Sequence, residues 1–264
     1  MWHCQVDGVI QRACSRLACF AHTLQLVVKD GLDVATAARP VLAKCTKIAS
    51  LTHQSAHFRT AFETKFGTGS SIPAANVTRW SSMYAQLSAV ASLDPVKLTA
   101  VLQETDHANL VSSVKARASL DELVDILQPF AEVTELTQGD EYITISCVLP
   151  SIVALLKCMA GLSGRARYHS TVLATLVDSI NKRFSGLLQS LQMQPTSIGR
   201  QEPFEQLIYP AAAVMDPKYG FIWLESDHPG SAAVKDNVKE TVIGKINRFG
   251  EILPQNFNLF LHLS

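Results

Sequence analysis

The sequence predicts a mainly α-helical protein. Apolar residues recur at helical spacing along most of the chain, and strand signals are few. The clearest stripe is Leu173, Leu176, Val177, Ile180, Phe184, Leu187, Leu188 and Leu191, at steps of three and four. Asp178, Lys182 and Ser185 occupy its other face, so the stripe must be buried against further elements. Only the short stretch EYITIS (141–146) alternates with β-branched residues in the manner of a strand.

The expected helices, in order, are 20–37, 40–53, 79–92, 95–104, one starting at Ser119, then 150–162 and 231–252. The stretch SLDE sets Glu122 three residues after Ser119, the pattern of a capping box. Leu120, Leu123, Val124, Leu127 and Ala131 then form one face, and Gly139 follows the end. Pro129 falls inside this run and is expected to kink or split it. Pro150 suits a first helical turn, where no amide donor is lost. Stretches 66–74 and 192–203, rich in Gly, Ser and Pro, read as loops. No fixed-period repeat is present.

The 264 residues are 47% hydrophobic and 17% charged, which is the balance of a folded chain with a sizeable core. Lys plus Arg equals Asp plus Glu at 23 each, so no global field draws the chain to nucleic acid. The six cysteines lack framework spacing and read as reduced thiols. The longest apolar stretches, such as Val148–Leu156, are interrupted and too short to span a bilayer, so no membrane partner is expected. The start MWHCQVDGVI lacks the pattern of a targeting peptide and reads as a chain entered partway through a domain.

Candidate chemistry is sparse. Cys19 and His22 stand three apart, one face of a helix, so both could turn toward one ion. Cys4, Cys14 or His3 would complete four ligands, but the spacing matches no common finger, and both residues equally suit an ordinary helix. Nothing nearby supplies the third group of a thiolate nucleophile. GTGS (67–70) has neither the lysine nor the preceding strand of a phosphate loop. Asp7, Asp30, Asp94, Asp121, Asp125, Asp140 and Asp216 are available for two-metal chemistry, yet each reads better as structural, Asp216 as a turn cap. In TRWSSMY (78–84), an arginine beside a tryptophan can pin a phosphate and stack a base. Trp80, Tyr84 and Leu87 also keep helix spacing, which suits a core role.

Taken together, these stretches resemble the hAT-superfamily transposases and the BED-finger proteins domesticated from them. CFAHTLQLVVKDGL (19–32) follows the family's C-x-A-H-T-L-x-L-V-V-x-D-G-L segment. TRWSSMY follows its T-R-W-N-S-x-Y, with Ser81 in place of asparagine. LQPFAEVTELTQ (127–138), TISCVLPSI (144–152) and AAVMDPKYG (212–220) continue the family's order.

The resemblance implies an RNase H-like catalytic fold interrupted by a large helical insertion domain. Here that means the insertion domain with at most a residual fragment of the sheet. Residues 1–37 would be the remnant of the RNase H-like core with its C-x-x-H helix, and 38–264 the all-helical insertion domain. Cys19 and His22 would be the family's C-x-x-H element, which packs beside the catalytic core. Arg79 and Trp80 would be the DNA-contact candidates. The family's Asp–Asp–Glu triad binds divalent metal ions. Its second aspartate lies in a T-D-N-A-x-N-M stretch, for which this chain has MWHCQVDGVIQRACSRLA, and Asp7 lacks that context. The first aspartate and the BED finger would precede residue 1, and the glutamate and dimerisation segment would follow residue 264. The expectation is therefore a truncated, catalytically inactive protein with no catalytic residues, no metal site and no cofactor. Its partners would be DNA in the nucleus, other proteins, or a second copy held through apolar surface near residues 1–30 and 250–264. A helical interaction scaffold without nucleic-acid binding, cytoplasmic where the family context does not apply, is the alternative.

Overall fold

A computed structural model describes residues 17–74, 80–137, 145–195 and 202–252 of the chain, the last five by backbone alone. Among the described residues, every regular element is a helix. These are α1 (Phe20–Asp33), α2 (Arg39–Gln54), α3 (Ala56–Phe66), α4 (Trp80–Ser92), α5 (Pro95–Glu104), α6 (Val114–Thr137), α7 (Ile145–Ser163), α8 (Ser170–Arg183), α9 (Ser185–Ser190), α10 (Ile208–Met215), α11 (Ile222–Ser226) and α12 (Ala232–Ile252). Single 3-10 turns sit at Thr36–Ala38 and Ala108–Leu110.

One hydrophobic core joins them, running from Phe20 in α1 to Val242 in α12. Residue 37 lies in a 3-10 turn, and side chains on both sides of it belong to that core. The long helix α6 packs on α4 along one side and on α7 along another, while α7 packs on α8 and α10, and α8 on α1.

Several helices form for reasons legible in their ends. Asp94 caps α5, accepting the Val96 and Lys97 amides at 2.8 and 3.0 Å, with Pro95 at the first position. Ser55 caps α3 by accepting the Phe58 amide at 3.2 Å. Gly67 ends α3 at φ 106°, a conformation glycine adopts without steric cost.

Other ends differ from expectation. The helix expected at Ser119 already runs from Val114, and Ser113 Oγ accepts the Ala116 amide at 3.2 Å as its cap. Ser119 is buried inside α6 and faces His169. Pro129 does not break α6, which is continuous to Thr137. The carbonyl that the proline leaves without its helical donor belongs to Asp125, an exposed residue that water reaches. Gly139 and residues 141–144 of the expected strand lie outside the described residues, and Ile145–Ser146 begin α7 instead. Pro150 sits in the second turn of α7, not the first. The expected 173–191 stripe is two helices, divided at Phe184. The helix α3 went unpredicted, although Phe58, Phe62 and Phe66 recur at steps of four.

At 19 residues and mean hydropathy 2.0, α7 is long and apolar enough to cross a membrane, contrary to the expectation from its interrupted sequence. Its interruption at Pro150 and Ser151 is itself buried, and more than half of the helix is covered by α6, α8 and α10. The apolarity therefore serves the core of the bundle.

Candidate functional site

The first candidate, Cys19–His22, opens α1. Cys19 is the N-cap residue and makes no side-chain cap bond, while its carbonyl accepts the Thr23 amide and hydroxyl at 3.0 Å each. Both Cys19 and His22 are exposed. The rest of the CFAHTLQLVVKDGL segment turns inward. Phe20, Leu24, Val27, Val28 and Gly31 are buried at steps of three, four and one. Phe20 meets Phe184 edge-on at 5.7 Å. Gly31 lies so close to α8 that a Cβ there would fall 2.6 Å from Leu176 Cδ2. Asp30 accepts the Ser179 hydroxyl at 2.6 Å and the Arg183 guanidinium at 2.8 and 3.2 Å. Burial pushes the Asp30 carboxyl up, but the Ser179 and Arg183 donors outweigh it and hold it below the usual range.

The segment therefore attaches α1 to a helix about 150 positions away in sequence. Its apolar face and its aspartate do the joining, and the Cys–His pair looks out to solvent. Among the described residues, no three His, Cys, Asp or Glu side chains converge on a metal position. His3, Cys4 and Cys14 lie outside the described residues. Substituting Gly31 by Val should destabilise the fold by roughly 1–3 kcal/mol, because α1 must shift or Leu176 must leave its rotamer. A chemical-denaturation midpoint unchanged from wild type would show that this close approach is not maintained.

The second candidate is the start of α4. Arg79 lies outside the described residues. Trp80 is half-buried against the core, its ring 6.4 Å from that of Tyr84. Its indole N–H is buried without a hydrogen-bond partner among the described residues. The loop leading to it is anchored: Ile72 is buried, His53 Nε2 donates to its carbonyl at 2.7 Å, and Gln86 Nε2 donates to the Pro73 carbonyl at 3.1 Å. The buried Gln86 also accepts the Thr46 hydroxyl at 3.1 Å, tying α4 to α2.

Beyond Trp80, α4 and α6 enclose an open groove of about 720 Å³. Tyr84 lines it; burial raises its phenol, a hydrogen bond with Ser88 opposes the rise, and the charges of Glu132 and Asp125 on α6 add to it. At the far end, Arg117 of α6 donates to the carbonyls of Ala91 and Leu93 and pairs with Asp121 at 3.0 Å.

Sequence reasoning missed the partners of Glu122. Glu122 of α6 accepts the backbone amides of Arg167, Tyr168 and His169 at 2.7–2.8 Å, holding the turn that leads into α8 from another helix. His169, 2% exposed, donates from Nε2 to the Ser119 carbonyl at 2.9 Å, with Ser119 Oγ also 2.9 Å from that nitrogen. The SLDE pattern that marked these residues suggested a local cap; their partners are 45–50 positions away.

Residues 17–126 match the family model described as the ZBED1 RNase-like helical domain. The match covers the first two motifs, at 19–32 and 78–84, and less than half of the chain. It agrees with the all-helical architecture and supports a transposase-derived helical domain. Comparison with curated proteins gives no match.

Proposed function

We propose that this chain is a transposase-derived helical domain that acts by associating with other proteins and carries no strand-cleaving chemistry. The observation that supports this is where its carboxylates are engaged. Asp30 is held by Ser179 and Arg183, Asp94 caps α5, Asp121 pairs with Arg117, and Asp216 accepts the Ser146 hydroxyl and the Lys218 amide. Each sits at a different place in the fold, whereas metal-dependent phosphoryl transfer needs its carboxylates around shared ions. Asp7 and Asp140 lie outside the described residues. The zero net charge and the acidic border beside Trp80 and Tyr84 favour protein over nucleic acid as the partner.

DNA association in the nucleus through Arg79 and Trp80 is the second reading. It rests on the family resemblance and on the Trp80 indole N–H, buried without a partner among the described residues. One set of assays separates the two. The chain is incubated with labelled duplex DNA and Mg²⁺ or Mn²⁺, and its DNA binding is titrated against salt. The expected result is no nicking and no binding tighter than the non-specific range, roughly 10⁻⁴–10⁻⁶ M near physiological salt. Cleavage abolished by a chelator would overturn the non-catalytic reading. Tight, steeply salt-dependent binding that Trp80→Ala weakens would establish the DNA reading instead.

A further inference from the structure

The groove between α4 and α6 has two unlike walls. On α4, Ser81, Ala85, Ser88 and Ser92 recur at steps of four, three and four, and the helix carries no charged side chain. On α6, Ala131 and Thr134 continue the floor, and Glu135 forms the rim. Tyr84 and Ala89 complete this wall, so a third helix would approach closely over the small side chains and pack beside the Tyr84 ring.

Glu135 belongs to a row on α6: Asp121, Asp125, Gln128, Glu132 and Glu135 follow one another at steps of four, three, four and three, all exposed, and of these Glu135 lines the groove itself. Residues so spaced share one face of a helix, and like charges there repel. Asp121 is neutralised by Arg117. Asp125, Glu132 and Glu135 form no ion pair among the described residues. The Gln128 amide donates to Glu132 at 2.9 Å, a further polar contact within the row. The negative field reaches Tyr84 in the groove on one side and Cys158 of α7 on the other. Leu136 adds an exposed apolar side chain at the end of the row.

We propose that this groove docks a cationic amphipathic helix of a protein partner, with its small or apolar face on α4 and its Lys/Arg row on Asp125, Glu132 and Glu135. A helix of about three turns matches the groove's length, because residues 81–92 rise about 16 Å along α4. Cations at i, i+3/i+4 spacing repeat with the same period as the acids. Nucleic acid does not fit, since its phosphates would face unpaired carboxylates. The inference rests on the protein-association reading and adds the partner's chemistry to it.

The test uses the whole chain and a labelled synthetic helix of about 16–18 residues, Ala/Leu on one face and Lys on the other, followed by fluorescence anisotropy. The control peptide replaces every Lys by Glu. Two variants are compared, both at exposed positions: the double charge reversal Glu132→Lys/Glu135→Lys, and Ala85→Trp, which fills the groove without changing charge. Circular dichroism verifies that each folds. The expected result is saturable binding of the cationic peptide alone, weakened at least tenfold by each variant. No saturable binding, equal binding of the anionic control, or wild-type affinity in Ala85→Trp would each overturn the groove. If the peptide fails while the chain still ignores DNA, the groove is refuted and protein association stands. If the chain binds DNA, the association reading falls, and the Ala85→Trp comparison still decides the groove.

Discussion

Phe184→Ala is expected to lower the free energy of unfolding by about 3–5 kcal/mol, the range for truncating a buried aromatic that leaves a cavity. Phe184 is fully buried at the break between α8 and α9. Its ring meets Phe20 of α1 at 5.7 Å and Phe204 at 4.6 Å, and Phe204 meets Tyr209 at 5.1 Å. Three segments distant in sequence therefore depend on one side chain. Phe204 has a positive φ of 62°, which an L side chain adopts only when its surroundings over-determine it. Removing Phe184 takes away part of that constraint, so the loss should exceed the area term alone. Urea unfolding followed by circular dichroism reads the effect. Phe184→Leu should cost much less, because most of the volume is kept. A loss below about 1 kcal/mol for Phe184→Ala would show that the three segments do not share this core.

The second large effect belongs to Glu122. Removing its carboxylate with Glu122→Ala leaves three backbone amides at the start of α8 without their acceptor. The loss of a charged acceptor shared by three amides sets the expected cost at about 2–3 kcal/mol. The sign of the pH dependence follows from its environment. Burial pushes the Glu122 carboxyl up, but the amides of Arg167, Tyr168 and His169, with the His169 charge, prevail and hold it below its usual range. A group depressed in the folded state contributes its stability in full above the unfolded pKa, about 4.3, and loses it as pH falls through the folded value. Wild type should therefore exceed Glu122→Gln in stability at pH 7 by more than it does at pH 3. A gap that is constant across that window would show that the carboxylate is not held in its ionised form by these donors.

The helical class, and the spans of α2, α4, α5 and α12 to within a residue or so, were legible because local patterns carry them. Pro95 after Asp94 marks a helix start by chain chemistry alone, and Asp216 before Pro217 does cap a turn, at 2.9 Å from the Lys218 amide. The C-x-x-H segment was legible as a buried-faced helix, but not what it touches. Gly31 needs Leu176 to explain it, and Asp30 needs Ser179 and Arg183. Pro129 shows the opposite failure. A local rule predicted a break, and packing of α6 on α4 and α7 at both ends of the proline kept one helix.

The sequence alone determined that this chain is helical, globally uncharged and similar along several motifs to transposase helical domains. Those properties are sums over neighbouring residues, and period and composition record them. Only the tertiary structure decided that Glu122 holds the turn leading into another helix, that Trp80 lies half-buried, and that Glu135 of the acidic row on α6 lines a groove against α4. Each of these is a meeting of side chains far apart in the chain. Spacing along a helix says which residues share a face, but only the packed fold says what that face meets.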